Sequence, residues 1–154
     1  LEFAAFSRKI TFAEDNRLQM EDLSGTNLAQ VVEWGKEEIK IIYSREEFYL
    51  NESLLNEEPT MNLILLKAPL KEGAVWQDDF FTRQITAVDQ VVTVPLGTFR
   101  AVVVVKAVGE HSSFYEYYAK NMGLIKRETI FRAENKQPRV VSSLKEVTIT
   151  PQLP

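Results

Sequence analysis

The stretch TFRAVVVVKAV, Thr98 to Val108, decides the reading of the fold. Phe99, Ala101, Val103, Val105 and Ala107 share one parity, and Thr98, Arg100, Val102, Val104 and Lys106 share the other. One parity is wholly apolar and the other is mixed. A period of two built largely from valine describes a strand with one side on a core. Turn residues bracket it, Pro95-Leu96-Gly97 before and Gly109-Glu110-His111-Ser112 after.

The same period recurs outward from this strand. Phe6, Arg8, Ile10 and Phe12 alternate with Lys9 and Thr11; Leu28, Val32 and Trp34 share a parity, as do Ile39, Ile41 and Tyr43. Turn signals such as AEDN (13–16), QDD (77–79), KNMG (120–123) and ENKQP (134–138) punctuate the chain. Short strands separated in this way predict an antiparallel all-β domain. The expectation is a mainly β chain, one antiparallel curled sheet or open half-barrel, forming a single domain over residues 1–154. Residues 44–55 admit two readings. Ser44 and Glu47 have capping-box spacing, and Phe48, Leu55 and the Leu50–Leu54 pair have helical spacing, which predicts a short helix. The rival is a strand over Glu47–Leu50 returning beside Ile39–Tyr43.

SSFYEYYAKNMGLIKRE, Ser112 to Glu128, reads as a hairpin. A four-residue loop over 120–123 sets Tyr117 opposite Lys126, Glu116 opposite Arg127, Tyr115 opposite Glu128 and Tyr118 opposite Ile125, with Gly123 supplying a positive φ. The Glu116–Arg127 cross-strand pair is worth about 0.2–1 kcal/mol. A Lys126–Tyr117 cation–π contact adds about 0.5–1 kcal/mol. Tyrosine suits such a half-buried surface, so the cluster needs no ligand to account for it.

Composition narrows the chemistry. The chain has 154 residues, a net charge of −4 and no cysteine. An acidic balance argues against nucleic-acid binding. Without cysteine there are no disulfides, thiolate nucleophiles or cysteine-ligated metals. His111 is the only histidine and lies in a predicted loop. No G-x-S-x-G elbow, phosphate loop or EF-hand loop is present, so no catalytic residue, cofactor or metal is assigned. No apolar run approaches the ~20 residues that span a bilayer, and no transmembrane segment is expected. Trp34 and Trp76 suit either a core or the lining of an apolar pocket.

Three signatures occur in order: Pro69-Leu70-Lys71-Glu72-Gly73 with Trp76; Val94-Pro95-Leu96-Gly97-Thr98-Phe99 before the valine-rich strand; and Tyr117-Tyr118-Ala119 followed by Leu124-Ile125-Lys126. Together they cover about Leu63 to Glu128. This order resembles a group of small exported or lipoprotein-type β-domains of bacteria, similar in architecture to the curled sheets of lipoprotein carriers. The resemblance implies an extracytoplasmic location and a precursor carrying a leader or lipid anchor ahead of Leu1. It brings no catalytic residues. The resulting expectation is a non-enzymatic binding or structural module of the bacterial envelope, whose concave face holds an apolar ligand such as an acyl chain. Trp34, Trp76, Phe99, Tyr115 and Tyr117 are its candidate ligand-binding residues. The alternatives are a protein-interaction module using a sheet edge or the 112–131 hairpin, and a carboxylate-dependent hydrolase.

Overall fold

A computed structural model describes residues 2–23, 25–131 and 139–154. The predicted turn at ENKQP lies outside these residues. The described chain is all-β, with strands β1 (Glu2–Glu14), β2 (Arg17–Leu23), β3 (Asn27–Trp34), β4 (Glu38–Arg45), β5 (Leu63–Lys67), β6 (Val75–Gln77), β7 (Thr82–Val94), β8 (Gly97–Val108), β9 (Ser112–Ala119), β10 (Gly123–Phe131) and β11 (Arg139–Gln152). Hydrogen-bonded neighbours follow the order β5-β4-β3-β2-β1-β11-β10-β9-β8-β7-β6. The pairs joining β1 to β5, and those joining β6 to β11 through β10, are antiparallel. The mainly β expectation is met.

The backbone packs as two compact units, Leu1–Ala5 with Pro69–Lys145 and Phe6–Ala68 with Glu146–Pro154. The first contains the 112–131 hairpin and is called the hairpin unit. The second contains a long irregular segment and is called the loop unit.

In the hairpin unit, the side of the sheet that bears Glu116 carries much of the core, and towards the β7–β8 turn Val92, Val94, Val102 and Val104 are buried on the other side. Cross-strand rows run Arg83–Ala107–Phe114 and Ile85–Val105–Glu116–Arg127. Ile85, Val105 and Ala107 are completely buried. The face expected for TFRAVVVVKAV is corrected here. Ala101 adopts φ +53° and bulges out of the ladder, since Phe99 pairs with Val92 while Val102 pairs with Gln90. An extra residue reverses the alternation beyond it. Val103, Val105 and Ala107 keep the common face, whereas Phe99 moves to the side of Val102 and Val104. A second departure lies in the hairpin. Ala119 pairs with Gly123 and Tyr118 with Leu124, leaving a three-residue loop and Ile125 as a bulge; from Lys126 onward the expected register holds. Gly123 has φ +78°, as its position requires.

In the loop unit, further bulges interrupt the period of two. Ile10 pairs with Met20 but Phe12 with Gln19, so Thr11 is the extra residue and Phe12 leaves the face of Phe6, Arg8 and Ile10. Val32 pairs with Ile41 but Val31 with Tyr43, so Ile42 is extra and Tyr43 separates from Ile41.

Neither reading of 44–55 holds beyond the end of β4 at Arg45. Glu47 has φ +51°, a left-handed conformation in which no helix can start from Ser44. Residues 46–62 form neither helix nor strand. Phe48, Leu54 and Leu55 instead drop from this segment into a core with Phe12, Ala29, Val31 and Ile42. Burying each is worth roughly 1.5–3 kcal/mol, enough to hold an irregular chain against the sheet. Leu50, which the helical spacing paired with Leu54, is exposed instead.

Polar side chains fasten the same segment. Gln19 is fully buried; its Nε2 donates to Glu52 O at 3.1 Å and its Oε1 accepts from Leu54 N at 2.7 Å. Arg17 donates to Leu55 O at 2.8 Å and Asn27 Nδ2 to Phe48 O at 2.6 Å. These bonds satisfy backbone groups that have no ladder partner, which irregular chain needs when it is buried.

Candidate functional site

Strand alternation gives the hairpin two unlike sides. On the buried side, Glu116 has no exposed side-chain surface and meets two arginines. Arg83 Nη1 donates to its Oε1, and Arg127 donates to its Oε2 through Nη2 at 2.6 Å and Nε at 3.2 Å. Arg83 Nε donates to Asp78 Oδ2 at 2.6 Å. Asp78 Oδ1 in turn accepts the backbone N–H groups of Phe80 and Phe81, both at 2.9 Å, and so fixes the turn into β7. The guanidinium of Arg83 lies 5.4 Å from the Phe81 ring centre and 5.7 Å from that of Phe114. Phe81 and Phe114 pack edge to face at 4.8 Å.

Burial works against the Glu116 charge, but Arg127 and Arg83 outweigh it and hold the carboxyl below the usual carboxylate range. For Arg83 and Arg127 burial likewise opposes the charge, and Glu116 more than offsets it, raising both. Burial, reinforced by the Glu116 charge, pushes the Tyr118 hydroxyl well above the ordinary tyrosine value. Arg83, Asp78 and Glu116 are closed off from solvent in this lattice. It fixes which residues of β7, β9 and β10 face each other.

The opposite side of the hairpin faces outward. Tyr115 and Tyr117 are half-buried there, with Lys106 Nζ 5.9 Å from the Tyr115 ring centre and Lys126 Nζ 4.8 Å from that of Tyr117. Glu128 is paired with Arg139 at 3.0 Å. Val75 and Val108 share this side through their register with Gln84 and Thr82, and both are exposed. The expected Lys126–Tyr117 and Glu116–Arg127 contacts are both present, on opposite sides as alternation requires.

The five candidate ligand-binding residues divide between the two units. Trp34 belongs to the loop unit and is 37 % exposed at the end of β3. In the hairpin unit, Trp76 pairs with Arg83 on the buried side and is 5 % exposed. Tyr115 and Tyr117 lie on the outward side, and Phe99 sits opposite Val92 near the β7–β8 turn. His111 is almost fully exposed, with only the Glu110 carboxylate 3.7 Å away. Among the described residues no group of three or more histidines, aspartates or glutamates is placed to hold a metal ion. No helix among them is long and apolar enough to cross a membrane.

Sequence reasoning found Glu116 and Arg127 through the hairpin register but missed Asp78 and Arg83. Arg83 stands 33 residues from Glu116. The available signal was a lone arginine on the inward parity of a strand, which demands a buried acidic partner. Compared with protein-family models, curated proteins and solved structures, the chain has no match.

Proposed function

We propose that the protein is a non-enzymatic binding module that engages a protein partner through the outward side of β8, β9 and β10. The observation that carries this reading is the Tyr115–Lys106 and Tyr117–Lys126 pairs, displayed on a sheet whose opposite side is locked by the Glu116 lattice. Tyrosines offer large contact area at low entropic cost, and they are enriched where interfaces form. Lys106 and Lys126 make this side locally basic on an acidic chain, so the fitting partner segment carries acidic and apolar side chains. Preformed geometry lowers the ordering cost of association. The resemblance to exported bacterial β-domains supports the envelope as its location.

A photo-crosslinking amino acid at position 117 tests the reading. Crosslinks to one partner from position 117, absent from position 36 and lost on Tyr115→Ala, are the expected result. Equal crosslinking from both positions, or binding unchanged in a Tyr115→Ala/Tyr117→Ala variant, would overturn it. An acyl chain in a concave face remains the reading tested by native mass spectrometry of mild extracts.

A further inference from the structure

The segment 46–62 is 17 residues long without regular structure, and loops beyond about 12–15 residues are uncommon in compact folds unless they serve a function. Along one margin, where it meets the sheet of the loop unit, lies a cleft of about 320 Å³. Lys9, Glu21 and Asn27 line it from the strands, Tyr49 and Asn51 from the loop, and Gln152 from β11. We infer that this cleft is a binding site for a neutral saccharide. It is independent of the outward side of the hairpin.

The polar groups in it are unevenly satisfied. Glu21 is only 7 % exposed, yet among the described residues it accepts a single side-chain hydrogen bond, from Asn27 Nδ2 at 2.8 Å. Asn27 spends its other amide hydrogen on Phe48 O, which fixes the orientation of the amide and leaves Oδ1 without a partner. A carboxylate so enclosed with unused acceptor capacity is costly, and a ligand hydroxyl donated to Glu21 relieves that cost. Lys9 stands directly opposite Glu21 in the β1–β2 register without forming an ion pair with it, so its ammonium is available as a donor. Asn51 and Gln152 can both donate and accept.

Charge decides the ligand class. Lys9 and Glu21 sum to zero, so no net charge on the ligand is favoured, while donors and acceptors stand side by side as sugar hydroxyls require. Tyr49 is 69 % exposed on the loop wall and presents a ring on which the C–H side of a pyranose can stack. The volume lies at the lower end of the range for small-molecule sites, about 300–1,000 Å³, which fits one or two sugar rings.

Amide chemical shifts of the labelled full chain, titrated with maltotriose, cellotriose and chitobiose, test the site. At least one probe should give saturable shifts confined to Glu21, Asn27, Tyr49 and Asn51. Tyr49→Ala and Lys9→Ala change exposed side chains, so each should weaken that binding about tenfold with the remaining spectrum unchanged. No saturable shift with any of the three sugars, or affinity unaffected by both substitutions, would overturn the inference.

Discussion

Replacing Glu116 by glutamine leaves Arg83 buried beside Asp78 but without its second carboxylate. Arg83 and Glu116 are 1 % and 0 % exposed in their side chains, and removing one partner of a buried pair costs about 3–5 kcal/mol. Arg127 behaves differently, because its side chain is 44 % exposed and can turn to water. Arg127→Met removes charge-assisted hydrogen bonds worth about 1.5–3 kcal/mol but leaves Glu116 paired with Arg83. In the Glu116→Gln background the same change removes almost nothing further. A double-mutant cycle should therefore give a coupling of about 1–3 kcal/mol. Each unit holds one tryptophan, so Trp76 fluorescence in a Trp34→Phe background reports the hairpin unit alone. By urea denaturation Glu116→Gln should lose about 3–5 kcal/mol at unchanged m; its thermal midpoint should fall by roughly 6–20 °C. A loss below about 1 kcal/mol, or fully additive effects in the cycle, would refute a buried lattice.

Three further outcomes follow from the same contacts. The Glu116 carboxyl has a lower pKa folded than unfolded, so its contribution is present above the unfolded value, about 4.3, and is lost as pH falls through the folded value. The Trp76 urea midpoint should drop on acidification in that window, and Glu116→Gln should flatten the drop. Gln19→Ala removes the two Gln19 bonds to the 46–62 segment; a loss of about 1–3 kcal/mol and faster proteolytic cleavage within 46–62 are expected, read by timed digestion and mass spectrometry. Gly109→Ala would set a Cβ 2.7 Å from the Phe81 ring, which Phe114 and Arg83 hold in place. About 1–3 kcal/mol of destabilisation should appear in the Trp76 transition.

Alternation in Thr98–Val108 and the turn spacing made the β class legible, because both arise from local geometry. The hairpin was legible to the level of the Glu116–Arg127 and Tyr117–Lys126 pairs, since one loop fixes the register of neighbouring strands. Bulges were not. Thr11, Ile42, Ala101 and Ile125 are ordinary strand residues, and nothing in their identity announces that an extra residue reverses the faces beyond them. The 46–62 segment was misread because burial of Phe48, Leu54 and Leu55 is set by a distant sheet, not by a local period. The lattice partners Asp78 and Arg83, and the cleft joining Lys9 to Tyr49, are likewise assembled from strands and loops far apart in sequence.

The most direct measurement is the nitration rate of individual tyrosines in the folded protein, mapped by mass spectrometry. Tyr115 and Tyr117 on the outward side should react, while Tyr118, inward and 5 % exposed, should stay unmodified until the hairpin unit unfolds. Tyr118 reacting as fast as Tyr115 would contradict the assignment of the two sides, and with it both the buried lattice and the displayed surface.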